Sequence, residues 1–422
     1  MSRMRAGRLT VLLGVTVLVG VACGARHTTQ PARSLPSPVP VIATVPAYLA
    51  ATVAADDQLG LDLLTSIGPP DGNLVLSPAS VALALRMVAS GAAGLTASEM
   101  AHVLHLPNVA AAAQALPYTI GAATHDTANT LRVANTVWAQ QGMPVAAPFA
   151  NTLRTRFGST IRPADFERDP DKATNQINAA VAGQTNGMIP HLFPANSLDS
   201  STRMVLTNAV YLAASWAQAF DPKLTSPAPF TRPDGSVVQV PMMHQDPNDD
   251  PEQRPFGYAA GPGYQAVTLP YTGGKLAATV LLPSGTSLKP LLDLLRANGL
   301  PSMLKSVHPA GVDIAMPKFT LSSNVDLTAT LATLGMPTAF SDRADFSGIT
   351  TAEQLNIQTV QHDVMVRVDE HGTTAAAATG VGMQATSAVA RTEVIVNRPF
   401  LLVITDTATG GTLFLARVTN PT

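Results

Sequence analysis

Apolar positions along the chain follow two rhythms. In "NLVLSPASVALALRMVASGAAG" a short apolar run precedes Ser77 and Pro78, after which Val81, Leu85 and Val88 recur at helical spacing. Ser77 is placed as an N-cap, and Pro78 suits the first helical position, where a missing N–H costs nothing. A strand followed by a buried helix is therefore expected. Further on, "MVLTNAVYLAASW", "YQAVTLPY", "LAATVLLP" and "VDIAMPKFTL" are strand-like, and in "DVMVRVDE" Val364, Val366 and Val368 alternate with Met365 and Arg367. That is the period of two of a half-buried strand. The tail "RPFLLVITDTATGGTLFLARVTNP" is two apolar runs around a Gly-containing turn, a buried hairpin that places the C-terminus in the core. Between these last strands lies "VDEHGTTAAAATGVGMQATSAVARTE", an acidic pair followed by a run with almost no bulky side chain.

Composition narrows the classes of function. The chain has 422 residues, 46% hydrophobic and 13% charged, with a formal net charge of -2. No basic surface for nucleic acid and no polybasic membrane patch is implied. The opening "MSRMRAGRLTVLLGVTVLVGVACG" sets three arginines before an apolar run ending in small residues, the layout of an export signal over residues 1–22. Its end, "GVAC", resembles a bacterial lipoprotein box with Cys23 as the lipidated residue, although Gly20 stands where leucine is usual. An ordinary secretory signal cut near Ala22 or Ala25 is the other reading. Either way the chain is exported, to the outer face of the cell membrane as a lipoprotein or into the medium. Residues 23–46 are rich in Pro, Ser and Thr and read as a semi-rigid tether, leaving 47–422 as one large domain. Cys23 is the only cysteine, so with its thiol lipidated the body has neither thiol chemistry nor a disulfide.

Common catalytic signatures are absent: no G-x-S-x-G, P-loop, H-E-x-x-H or dinucleotide fingerprint occurs. His102 and His105 could share a helix face, but no third ligand follows nearby, and a zinc site needs three or four. A hydrolase built from Ser77, His362 and an Asp stays open by residue count alone; it would require Ser77 to be exposed.

The motifs taken together resemble the serpins. "NLVLSPASVALAL", "ANTVWAQQG", "TNGMI", "TNAVYLAASWAQAFDP", "PMMHQ", "MPKFTLSSNVDLTATLATLGMPTAF", "VQHDVMVRVDEHGTTAAAATG" and "NRPFLLVITDTATGGTLFLARVTNP" occur in the family's order over nearly all of the chain after the tether. The resemblance implies an α+β serpin fold, with three β-sheets, about nine helices and an exposed reactive-centre loop at about residues 370–393. It also implies a suicide-substrate mechanism: a protease cleaves the loop, is held as an acyl-enzyme, and is dragged along as the loop inserts into the main sheet. The chain is then an inhibitor and not an enzyme, a monomer needing no cofactor. Its partner is a serine protease, and it meets no nucleic acid and touches membrane only through the lipid anchor.

By the same resemblance the hinge comprises Glu370, Gly372, Thr373, Ala375, Ala376, Ala377 and Ala378. Physical chemistry agrees with such a role. A segment that is solvated in one state and mid-sheet in another can carry neither bulky apolar groups nor buried charge, and alanine and threonine meet both demands. Insertion of about 15 residues at roughly 3.3 Å each moves the cleaved end some 50 Å. Ser77, Ser80, Asn208 and His362 match the family's polar cluster beneath the main sheet. Trp216 matches the tryptophan where insertion starts, and Lys318 with Glu370 matches a pair tying the hinge to a neighbouring strand. Counting along the loop places the scissile bond at Thr386–Ser387, with shifts to Ser387–Ala388 or Ala388–Val389 open. Small residues there suit elastase-like or subtilisin-like proteases. The alternative function is a serpin-fold surface binding module that no longer inhibits; "TTAAAATG" favours inhibition, while His371 is an unusual neighbour for Gly372.

Overall fold

A computed structural model of the chain describes residues 47–107, 129–245, 256–373 and 392–422. Helices are α1 (Ala47–Ser66), α2 (Pro78–Ala89), α3 (Gly94–Val103), α4 (Ala147–Phe157), α5 (Pro170–Gln184), α6 (Lys289–Asn298), α7 (Leu300–Lys305) and α8 (Thr328–Leu334), followed by a 3-10 turn at Pro337–Phe340. The first strands are β1 (Leu74–Leu76), β2 (Thr130–Gln140), β3 (Ile161–Ala164), β4 (Met204–Ser215), β5 (Ser226–Thr231) and β6 (Val237–His244). Then come β7 (Gly257–Gly261), β8 (Tyr264–Pro270), β9 (Leu276–Pro283), β10 (His308–Pro309), β11 (Val312–Pro317) and β12 (Phe319–Asp326). The last are β13 (Thr359–Asp369), β14 (Gly372–Thr373), β15 (Thr392–Ile395), β16 (Phe400–Asp406) and β17 (Thr412–Val418).

These strands form three sheets, ordered β1-β17-β16-β9-β8-β7-β10, β15-β11-β6-β5 and β12-β13-β14-β4-β2-β3. The expected α+β architecture with three sheets is what the structure has, with eight α-helices among the described residues. "VDIAMPKFTL" is not one strand: the chain leaves β11 in the four-stranded sheet and enters β12 in the six-stranded one, turning at Lys318. Among the described residues no helix is long and apolar enough to cross a membrane.

Alternation in the strands decides which face meets which layer. Val364, Val366 and Val368 of β13 join Val280, Phe400 and Phe414 in a core between sheets. On the opposite face of the six-stranded sheet, Trp138, Val205 and Ala209 pack against Ile177 and Val181 of α5. Helix α2 is buried along nearly its whole length behind the sheet. Its start corrects one expectation. Ser77 is the N-cap residue and Pro78 opens the helix, but the Ser77 side chain makes no capping bond. Its backbone N–H instead donates to the ring of His362.

Candidate functional site

The six-stranded sheet is zipped unevenly at its centre. Strands β13 and β4 pair in parallel from Thr359↔Val205 to Met365↔Tyr211 and then part. Above that point the chain turns at Glu370–His371, and β14 returns between them, antiparallel to both. Thr373 faces Val368 on one side and Ala214 on the other, and Gly372 faces Asp369 and Ser215. Only glycine fits at 372, because a Cβ there would lie 2.0 Å from the Ala214 carbonyl oxygen and 2.8 Å from Ser215 Cα. Strand β14 modifies the expectation of an exposed loop from about residue 370. Glu370, Gly372 and Thr373 are buried, and Thr373 is fully so. At the loop's far end, Thr392 and Glu393 are already paired with Val312 and Asp313.

Side chains from four other segments hold this turn. The Glu370 carboxylate receives Lys318 Nζ at 2.8 Å and the Thr225 hydroxyl at 2.8 Å. Burial works to raise the Glu370 pKa, but the hydrogen bonds from Lys318 and Thr225 and the Lys318 charge outweigh it and hold the carboxyl below its usual value. Backbone bonds run from Phe220 N–H to the Glu370 carbonyl and from Trp216 N–H to the His371 carbonyl. Trp216 also donates its indole N–H to the Asp369 carbonyl at 2.9 Å. Its ring stacks on Tyr271 with centroids 4.6 Å apart and planes 10° from parallel. The Tyr271 hydroxyl shares a 2.6 Å hydrogen bond with the Thr373 hydroxyl.

Lower in the sheet lies a second polar group. His362 and Asn208 are register partners on β13 and β4, and Asn135 faces Asn208 from β2. His362 Nε2 accepts the Ser77 N–H at 3.1 Å, so its Nδ1 carries the proton and donates to Asn208 Oδ1. Asn208 Nδ2 donates to Ser80 Oγ at 2.7 Å and to Asn135 Oδ1 at 2.6 Å, and Ser80 Oγ donates to Asn135 Oδ1 at 3.0 Å. Asn135 Nδ2 donates to the Ser80 carbonyl at 3.2 Å, so each of the ring and amide groups of His362, Asn208 and Asn135 has a partner, as a buried network requires. Burial drives the His362 pKa down to about 3, so the ring is neutral.

The structure therefore brings together Ser77, Ser80, Asn208 and His362 in one cluster, and Lys318, Trp216, Glu370, Gly372 and Thr373 in another. The clusters are joined by β13, on which Thr373 is level with Val368 and Asn208 with His362, a separation of roughly 20 Å at strand rise. The hydrolase reading fails on this geometry. Ser77 is buried and meets His362 through its backbone, and the other ring nitrogen faces an amide, not a carboxylate. His105 does not join a metal site with His102; its Nε2 lies 2.7 Å from Asp62 Oδ2, and no group of three potential ligands occurs among the described residues. Cys23, Ala375, Ala376, Ala377, Ala378, Thr386, Ser387, Ala388 and Val389 lie outside the described residues.

Three members of these clusters were not singled out from the sequence: Asn135, Thr225 and Tyr271. Asn135 and Thr225 carry no local mark, since their partners are 73 and 145 residues away. Tyr271 had one available signal. A tyrosine closing an apolar strand must find a partner for its hydroxyl if it is buried.

Residues 54–421 match the family model described as serpin (serine protease inhibitor). Leukocyte elastase inhibitor of Bos taurus is 33% identical, the match covering 87% of this chain and 99% of that protein. Among solved structures, Serpin48 of the insect Tenebrio molitor superposes with a TM-score of 0.76 at 28% identity, over 88% of this chain and 98% of that one. Human thyroxine-binding globulin superposes with a TM-score of 0.78 at 27% identity, over 89% of this chain and 100% of that one.

Proposed function

This chain belongs to the serpin family, and we propose that it is an inhibitory member, trapping serine proteases of the elastase-like or subtilisin-like kind as a suicide substrate. The observation that carries the proposal is β14: the first two residues of the small-residue stretch already occupy the strand position between β13 and β4. In the proposed reaction the protease serine attacks the Thr386 carbonyl, the bond to Ser387 breaks, and Ser387 takes up a proton as the new amine, its peptide staying in the fold through β15, β16 and β17. An ester then links the protease to the chain ending at Thr386. The residues from Gly372 onward extend β14 downward, replacing parallel β13–β4 bonds with antiparallel ones on both sides.

Roles for the two clusters follow. Lys318, Thr225 and Trp216 anchor the turn about which the loop swings. Ser77, Ser80, Asn208 and His362 form the closure that parts, since His362 and Asn208 face each other across the boundary to be opened. Breaking this bond costs little overall where an inserted strand offers replacement partners. In the same proposal residues 1–22 export the chain, and Cys23 carries the lipid that holds the domain at the outer face of the membrane, with secretion the alternative.

The test is to mix the mature chain with elastase-like, subtilisin-like and trypsin-like proteases. The expected result is a complex resistant to boiling in SDS with one of the first two, and, once SDS has unfolded the chain, a separate peptide beginning at Ser387. Clean cleavage without a complex would instead put a serpin-fold binding module first.

A further inference from the structure

Tyr271 sits just beyond the end of β8 of the seven-stranded sheet, yet its hydroxyl serves the six-stranded one. It follows the last residue of β8, its N–H bonds to the Leu276 carbonyl, and an isolated bridge ties it to Trp216. The ring is fully buried, and stacking on Trp216 leaves it one orientation. Burial holds the phenol well above its usual pKa, so it is a neutral hydroxyl in need of a partner. That partner is the Thr373 side chain, itself fully buried. A buried hydroxyl left unpaired is costly, whereas a small hydroxyl at 373 satisfies it. Gly372 lets the backbone approach β4, and Thr373 fills the place prepared at the end of that approach.

We propose that Tyr271 is a positioning residue of the trap, its phenol the seat that receives the Thr373 hydroxyl and keeps the first loop residues in register between β13 and β4. The proposal rests on the inhibitory reading given above. An acyl-enzyme is lost to hydrolysis unless insertion outruns it. A loop whose first two residues are already in the sheet needs only to extend a strand, while an unseated loop must first nucleate one. Seating therefore sets the share of encounters that end in capture.

Tyr271→Phe keeps the stacked ring and removes only the seat. Thr373→Val removes the same bond from the other side with a branched side chain of the same shape, and Thr373→Ser restores a hydroxyl. Two quantities are measured on the full mature chain: moles of inhibitor consumed per mole of protease captured, and amide hydrogen exchange in the Asp369–Thr373 segment. Loss of one neutral hydrogen bond predicts about a fivefold rise in inhibitor consumed for Tyr271→Phe and for Thr373→Val. Exchange is faster in both, the double variant is no worse than either, and Thr373→Ser behaves as wild type. Unchanged consumption and exchange in both single variants, with wild type still capturing protease, would overturn the seat alone. Wild type cleaved without capture would overturn the inhibitory reading and the seat's role in partition with it, while exchange still reports whether the bond orders the hinge.

Discussion

The seven-stranded and six-stranded sheets of this protein are built to opposite ends. In the first, β9, β16 and β17 are buried at every position, and each neighbouring pair is antiparallel. Close packing on both faces holds a single register, because any slip would set side chains of the wrong shape against both neighbouring layers. The central pair of the six-stranded sheet is parallel, joined over Thr359–Met365, and crossed by hydrogen bonds among Asn135, Asn208 and His362. Hydrogen bonds can be exchanged for equivalent ones, while lost apolar burial has no substitute except burial elsewhere. One sheet is therefore built as a fixed frame, and the other is the one that, under the proposed function, takes in a strand.

The contrast can be broken most forcefully in the fixed frame. Leu415→Ala in β17 removes a fully buried side chain and is expected to cost about 2–5 kcal/mol in stability, read by denaturant unfolding. Protease capture per cleavage should stay unchanged; a variant of normal stability that fails to capture would show that the two sheets do not divide the work.

The next effect belongs to the movable sheet and depends on pH. His362 ionises near 3 when folded, against an ordinary value of 6.5. As pH falls from 6.5 toward 3 the unfolded chain binds a proton that the folded chain refuses, so stability drops, by up to about 1.4 kcal/mol per pH unit from this group. Above pH 6.5 both states are neutral and the contribution is flat. Unfolding measured from pH 7 to pH 4 should show this slope in wild type and lose that part of it in His362→Ala.

Smallest is the change at the hinge anchor. Lys318 is more than a third exposed, with a relative side-chain accessibility of 39%, and its bond to Glu370 is screened accordingly. Lys318→Met is expected to change global stability by less than about 1 kcal/mol, while hydrogen exchange around Glu370 accelerates. A large global loss would mean that the anchor supports the frame as well as the hinge.

Legibility in the sequence followed the range of the interactions. The β13 valines, Pro78 at the start of α2 and the C-terminal hairpin are local patterns, and each is where the sequence placed it. Ser77 read as a cap because its neighbours make it one, but its N–H was claimed by a histidine 285 residues away. The turn within "VDIAMPKFTL" was hidden because both halves are strands, and only sheet membership separates them. Thr373 was legible as small and uncharged; that it is already seated was not, because its partner lies 102 residues away, just past the end of β8.

What the sequence determined by itself is the set of chemical possibilities: which segments alternate, where a helix can start, and that one stretch after Glu370 is small and uncharged enough to live in water or in a sheet. Tertiary structure alone decided the pairings, namely that His362 meets Asn208, that Glu370 meets Lys318 and Thr225, and that Tyr271 meets Thr373. The reason is physical. Local propensity acts through neighbours along the backbone, whereas register, burial and the satisfaction of a buried hydroxyl arise only when distant strands are laid side by side.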